Sequence, residues 1–446
     1  MPTPTEEPRA SGNWLDTLYD RLAGGNDGRI CTEISEEACR ETPGNFLREL
    51  IAHTFTTIGD KIASAKTTLP WLLACLGAPA WCLSLLVPIR ESGSMLPQMA
   101  IGSVVRRMPI RKSVWVAGSV GQGISLALMA WAAFTLDGLS AGLVILGLLV
   151  IFSLCRGASS VAHKDVIGKT IPKTRRGRLS GWGGSISGLF GMLVGGGMAI
   201  LGDSENPLIY IGLLLGGTLL WIVAAVIFST IVEFPGETEG GRNGLKEGLA
   251  KLTLLRDDLP FRRFVIARAL AMGSGLAAPF YVTLAREDLG SASRYLGIFI
   301  AVEGLAGLLS APVWGYWADH SSRKVFATAC GLAGILSLLV AAGSWLGWTE
   351  PIAWWFYPLA FFGLGISHAG VRLGRKTYLV DMAEGNRRTD YVAVSNTVIG
   401  GLLLVSGLIG ALAAMLSIEA AIAILAIAGL AGSVMGWSWK EVSGGS

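Results

Sequence analysis

Apolar blocks about 20 residues long recur along this chain, separated by short polar turns. One pair, "YLGIFIAVEGLAGLLSAPVW" and "VFATACGLAGILSLLVAAGSWL", flanks the charged decapeptide "GYWADHSSRK", residues 315–324. A helix of about 20 residues rises far enough to cross a bilayer core. Within hydrocarbon, only helices and closed barrels satisfy every backbone polar group. The blocks lack the period-two alternation of barrel strands. Composition agrees, with 52% of the 446 residues hydrophobic and 15% charged. The expected fold class is an all-α polytopic membrane protein.

Ten blocks are clear, at 113–135, 139–163, 180–201, 207–231, 263–284, 292–316, 325–346, 352–372, 391–413 and 417–437. The more polar stretch from Asn45 to Arg107 is read as two further spans, 47–71 and 77–105, which makes twelve. The alternative for 47–71 is an amphipathic surface helix. Lysine and arginine crowd every second loop: Arg106 to Lys112, Lys169 to Arg178, Arg242 to Arg256, Arg323 with Lys324, and Arg387 with Arg388. The alternate loops carry almost none, Arg286 apart. Positive loops stay cytoplasmic. Both termini are therefore expected inside, with a bacterial inner (plasma) membrane as the expected location.

The charged turn has a counterpart. "SVVRRMPIRK", residues 103–112, also ends in Arg-Lys, and Arg111 lies 323 − 111 = 212 residues before Arg323. The pairs Arg175/Arg176 and Arg387/Arg388 keep that offset, as do Lys164 and Lys376. "CLGAPAW" at 75–81 likewise aligns with "DLGSASR" at 288–294. A repeat of this period makes two pseudo-symmetric six-helix bundles. The expected organisation is a cytosolic segment 1–45, a bundle 46–231, a linker 232–260, a second bundle 261–437 and a tail 438–446. In the linker, Leu245, Leu249, Leu252 and Leu255 fall at helical spacing and predict an amphipathic helix on the membrane surface.

Gly315, Asp319, Arg323 and Lys324 match the loop signature G-x-x-x-D-x-x-x-[RK]-[RK]. With the twelve spans and the repeat, the chain resembles the major facilitator superfamily over about residues 46–437. The first-half copy is degraded: Gly102 is one place off and Arg107 stands where the aspartate would be. The resemblance implies a central cavity lined by helices 1, 4, 7 and 10, flanked by 2 and 8, with 3, 6, 9 and 12 facing lipid. It also implies a cytoplasmic gate made by Gly315, Asp319, Arg323 and Lys324, with Arg111 and Lys112 in the first half.

A charge at the bilayer centre costs about 2.5–3.5 kcal/mol on insertion scales, so each one needs a reason. The interiors of spans 3, 6, 9 and 12 hold no Asp, Glu, Lys or Arg. Charges fall elsewhere. Lys61, Arg156, Arg268, His368 and Arg372 are candidate substrate-binding groups, and Asp60, Glu91 and Glu303 are candidate proton carriers. The competing reading is structural: Asp60 with Lys61, and Arg90 with Glu91, neutralising each other within the bundle. The basic excess leans toward an anionic or zwitterionic substrate.

No metal-ligand set or dinucleotide fingerprint is present; "HKD" at 163–165 reads as interfacial charge. Cys31 and Cys39, in a polar stretch placed in the cytosol, are expected as reduced thiols. No signal peptide is expected, because residues 1–45 lack an apolar core. The functional expectation is a secondary active transporter, not an enzyme, without cofactor, metal or nucleic acid. Its expected partners are a small solute, membrane lipid and protons, and it is expected to be a monomer working by alternating access. A lipid or lysolipid flippase or drug exporter of the same fold, and a transporter-like sensor, are the alternatives.

Overall fold

The structure is a computed structural model that describes residues 18–19, 21–22, 36–105, 107–201, 208–236, 238, 251–382 and 387–442. The described residues are helical, with no strand. Nine of their helical segments are long and apolar enough to cross a membrane. The protein is a multi-pass membrane protein.

Helices α1 (Glu36–Ile62) and α2 (Thr68–Cys75) form the first span, and α3 (Ala80–Met95) with α4 (Gln98–Val105) the second. Spans three to six are α5 (Lys112–Thr135), α6 (Gly138–Thr170), α7 (Lys173–Leu201) and α8 (Leu208–Ser229). After the short α9 (Leu254–Asp257), the seventh span is built from α10 (Leu259–Leu270), α11 (Gly273–Leu276) and α12 (Ala278–Leu289). Helix α13 (Ser293–Trp345) holds spans eight and nine, and α14 (Ala353–Met382), α15 (Arg387–Ala414) and α16 (Ile418–Trp437) complete the set. Spans one, two and ten are absent from the nine apolar segments. These are the spans that hold Asp60 and Lys61, Arg90 and Glu91, and His368 and Arg372.

Three local expectations change. Helix α1 starts at Glu36, well before residue 47, and buries Ala38, Asn45, Phe46 and Glu49. It packs against α6, α7 and α8, so it belongs to the bundle and is not a surface helix. The turn expected at 315–324 is reduced to a kink: helix leads up to and away from Ser321, whose extended backbone (φ −163°, ψ 97°) divides α13 into spans eight and nine. Cys39 is disulfide-bonded, which overturns the expectation of a reduced thiol there. Leu245 and Leu249 of the linker lie outside the described residues. Leu252 and Leu255 pack against the apolar core beneath the second bundle.

The repeat reappears in the turn chemistry. The described residues with positive φ are Gly77 (73°), Gly138 (58°), Gly290 (89°) and Gly347 (71°). They close the turns after spans one, three, seven and nine, two in each half. A left-handed residue at these helix ends favours glycine because any Cβ would be strained.

Two seams join the bundles. Across α7 and α13, a Cβ at Gly195 would lie 2.4 Å from the Ala301 nitrogen, and one at Gly297 would lie 2.5 Å from the Ala199 nitrogen. Across α3 and α15, a Cβ at Gly407 would lie 2.5 Å from Pro88 Cγ. Both close approaches lie toward the end of the molecule away from the basic loops. Of the nine apolar spans the seventh is the most buried, with 83% of its apolar window buried against 28–56% in the other eight. Apolar side chains reach the outer surface from more spans than 3, 6, 9 and 12: Leu193 of α7 and Leu412 of α15 are exposed as well.

Candidate functional site: a charged cleft between the bundles

The first span of each half is broken, toward its C-terminal end in the first half and near its middle in the second. Residues 63–67 separate α1 from α2, and Pro70 follows two residues into α2. Proline has no N–H for the carbonyl of Lys66, four residues before it, so the helix restarts rather than continues. In the second half, residues 271–277 interrupt α10 and α12 around the one-turn α11, and Pro279 opens α12. Polar backbone at membrane depth is tolerated where it lines a cavity or is buried in protein.

A cleft adjoins both breaks. It consists of two neighbouring cavities, of about 200 Å³ and about 100 Å³, that share Lys66, His368 and Arg372. The larger adds Lys61 and Glu303 with Phe361 and Leu364. The smaller adds Glu91 and Arg375 with Val87 and Leu403. The walls thus come from spans 1 and 2 of the first half and 7, 8, 10 and 11 of the second. His368 is oriented by Ser274, whose Oγ lies 3.2 Å from Nδ1 and itself donates to the Ala271 carbonyl. Among the described residues, the side chains of Lys61, Lys66, Glu91, Glu303, Arg372 and Arg375 make no hydrogen bond or ion pair at contact distance.

The other candidate residues lie outside this cleft. Asp60 is held on both oxygens, by Arg90 at 2.6 Å and by Arg156. Adjacent residues on a helix point in different directions, so Asp60 pairs across to α3 and α6 rather than with Lys61, and Arg90 pairs with Asp60 rather than Glu91. The Arg90 guanidinium also sits over the Phe152 ring, 4.9 Å from its centroid. Arg268 is buried and donates to Ser395 Oγ (2.6 Å) and Asn396 Oδ1 (2.9 Å) on α15.

Sequence reasoning missed Lys66 and Arg375. Lys66 lies within the expected first span and was not singled out; Arg375 lies just past the expected end of the tenth. It also missed Glu49. This carboxylate is fully buried, 3.0 Å from His163 Nε2, and its second oxygen has no partner. The His163 ring stacks on His53, with centroids 5.3 Å apart.

The basic loops are tied down by carboxylates that follow the last span of each half. Glu233 accepts the backbone N–H of Arg111 (2.9 Å) and Lys112 (2.7 Å), capping α5, and takes the Lys169 ammonium at 2.8 Å. Arg111 pairs with Asp165 at 3.1 Å, and Lys112 Nζ donates to the carbonyls of Ser229 and Ile231. An anion at a helix N-terminus is stabilised by the unpaired N–H groups there, and Glu233 takes that position at α5. In the second half, Glu441 accepts from Ser321 Oγ at 2.6 Å and lies 3.5 Å from Arg323 Nε. Arg323 also donates to the Trp439 carbonyl (2.7 Å), and the Lys324 N–H donates to Ser321 Oγ. Gly315 has open space where a Cβ would be. The Asp319 side chain lies outside the described residues.

With this geometry in view, the chain can be compared with known proteins. Residues 263–445 match the model of the Major Facilitator Superfamily. Solved structures cover nearly the whole chain at low sequence identity. The inward-open xylose transporter XylE from E. coli superposes with a TM-score of 0.67 at 12% identity, over 90% of this chain and 98% of that one. The nucleoside transporter NupG gives 0.64 at 12% identity, over 89% and 98%. A POT family transporter in complex with a thioalcohol-conjugated peptide gives 0.66 at 13% identity, over 87% and 94%. The fold is that of the major facilitator superfamily. Among curated proteins, the class E tetracycline resistance protein of Escherichia coli is 27% identical over 152 residues. That match spans 34% of this chain and 36% of the relative, about a third of its length.

Proposed function

We propose that this protein is a secondary transporter that moves a small anionic or zwitterionic solute by alternating access. One observation carries the reading: six ionisable side chains converge on a cleft between two bundles, without hydrogen-bonded partners of their own. Exposing so many charges at membrane depth is costly unless water or a charged solute reaches them. The broken first span of each half and the fold family support the same reading, and midplane sites between repeats are how such transporters bind cargo. Catalysis is not part of this reading.

The seams close the cleft at the end away from the basic loops, an arrangement that faces the cytoplasm if those loops are cytoplasmic. Proton coupling falls to Glu91 and Glu303, because Asp60 is already held by two guanidiniums. The class E tetracycline resistance match favours, as a second reading, export of an amphipathic drug through the same cleft.

The test is reconstitution of the full chain into liposomes, with uptake of radiolabelled carboxylates, organic phosphates and amino acids. Saturable uptake of one class, lost in Arg372→Gln, supports the proposal. Uptake only of uncharged solutes would refute the anionic assignment.

A further inference from the structure

Resting on that reading, we infer that the cleft is built for an organic dianion: a small molecule with an apolar body and two negative charges, as in a phosphate monoester or a dicarboxylate. Charge balance comes first. The lining holds four cations, Lys61, Lys66, Arg372 and Arg375, and two carboxylates, Glu91 and Glu303. That leaves 4 − 2 = +2 with His368 neutral. Glu91 faces Lys66 and Arg375 of the lining, and Glu303 faces Lys61 and Lys66, so both offsets are already in that count. A monoanion would leave positive charge uncompensated in a low-dielectric site, whereas a dianion neutralises it.

Helix α14 gives the orientation. Phe361, Leu364, Gly365, His368, Arg372 and Arg375 recur at helical spacing along the wall it contributes to the two cavities. The stripe is apolar at one end and basic at the other. The basic part, His368 to Arg375, rises by about 10 Å at 1.5 Å per residue. Arg372 and Arg375, one turn apart, present two guanidinium forks, the geometry that suits a two-oxygen anion. Lys66 approaches from the broken first span opposite, so the dianionic head is contacted by both bundles. The apolar body lies toward Phe361 and Leu364. Dianion binding would therefore bridge the halves, as a transported solute must.

The test is thermal unfolding and isothermal calorimetry on the full-length protein in lipid nanodiscs at constant ionic strength. The probes are phenyl phosphate, succinate, butyrate and glycine. The expected result is saturable binding of phenyl phosphate or succinate at least about tenfold tighter than butyrate, the ratio that one charge-assisted hydrogen bond supplies. Comparing phenyl phosphate with succinate separates the phosphate source from the dicarboxylate one. Arg375→Gln should bring the dianion-to-monoanion ratio toward one with the unfolding midpoint retained, and Arg372→Gln should do the same. Butyrate binding as tightly as the dianions would overturn this inference and leave the anion reading standing. Binding of glycine alone would also overturn it, with the zwitterion reading standing. No saturable response to any probe would sink both.

Discussion

Adding one methyl group at Gly195 should shift this protein between conformations rather than unfold it. The added Cβ would lie 2.4 Å from the Ala301 nitrogen and 2.6 Å from the Gly297 carbonyl oxygen, both backbone atoms with no side-chain freedom to yield. Ordinary contact begins near 3.4 Å, so α7 and α13 must separate by about 3.4 − 2.4 = 1.0 Å. Overpacking of this kind costs roughly 1–3 kcal/mol. Apolar clusters confined to one bundle, around Trp115 and Phe228 in the first and around Phe264 and Phe326 in the second, are untouched by the change, so the cost falls on the seam. A penalty of about 1–3 kcal/mol on one of two states shifts their ratio about 5–150-fold. The assay is pulsed electron spin resonance between labels at Asp137→Cys and Trp348→Cys, in the turns at the seam end, with Cys75, Cys82, Cys155 and Cys330 changed to serine. Gly195→Ala should move the distance distribution outward while the unfolding midpoint stays near that of the parent. A fall in the midpoint without a change in distances would refute the reasoning, because the seam would then be a static core and not the moving interface.

Other substitutions separate structural from functional charges. Asp60→Asn should lower the unfolding midpoint, because Arg90 and Arg156 lose the anion they share, whereas Glu303→Gln should leave the midpoint nearly unchanged and alter ligand affinity; reversed outcomes would exchange their roles. His163→Ala leaves the buried Glu49 without its hydrogen-bond partner and should cost about 1–3 kcal/mol, the penalty for an unsatisfied buried group, read as a lower midpoint in nanodiscs. Glu233→Ala removes the cap of α5 and should cost about 1–2 kcal/mol, with faster amide hydrogen exchange at Arg111 and Lys112; unchanged exchange there would show that the cap does not hold the loop.

The architecture was legible in the sequence because burying apolar length in lipid is a property of local runs. The repeat offset, the basic loops and the glycines at 77 and 290 are likewise local, and the fold bears out the all-helical plan built on them. Composition also marked spans one, two and ten as unusual, since each holds charged or ionisable residues near its middle and falls outside the nine apolar segments, although single charges at Arg156, Arg268 and Glu303 did not exclude spans four, seven and eight. The partner of each charge was not legible. Asp60 could not be assigned to Arg90 and Arg156 rather than Lys61, because that choice depends on where α3 and α6 cross α1. Arg268 and Arg372 look alike in sequence, yet one is fixed by Ser395 and Asn396 and the other opens on the cleft.

Residues far apart in the chain settled the remaining questions. Glu233 and Glu441 sit in polar tails with nothing local to mark them, and each folds back more than a hundred residues to a basic turn. Lys66 became a lining residue only because Pro70 breaks the first span beside a cavity made largely by the second half. Hydrophobicity acts along the chain and can be read from it in order. Electrostatic pairing acts through space at a few ångströms, and only the packed bundle brings those partners within range.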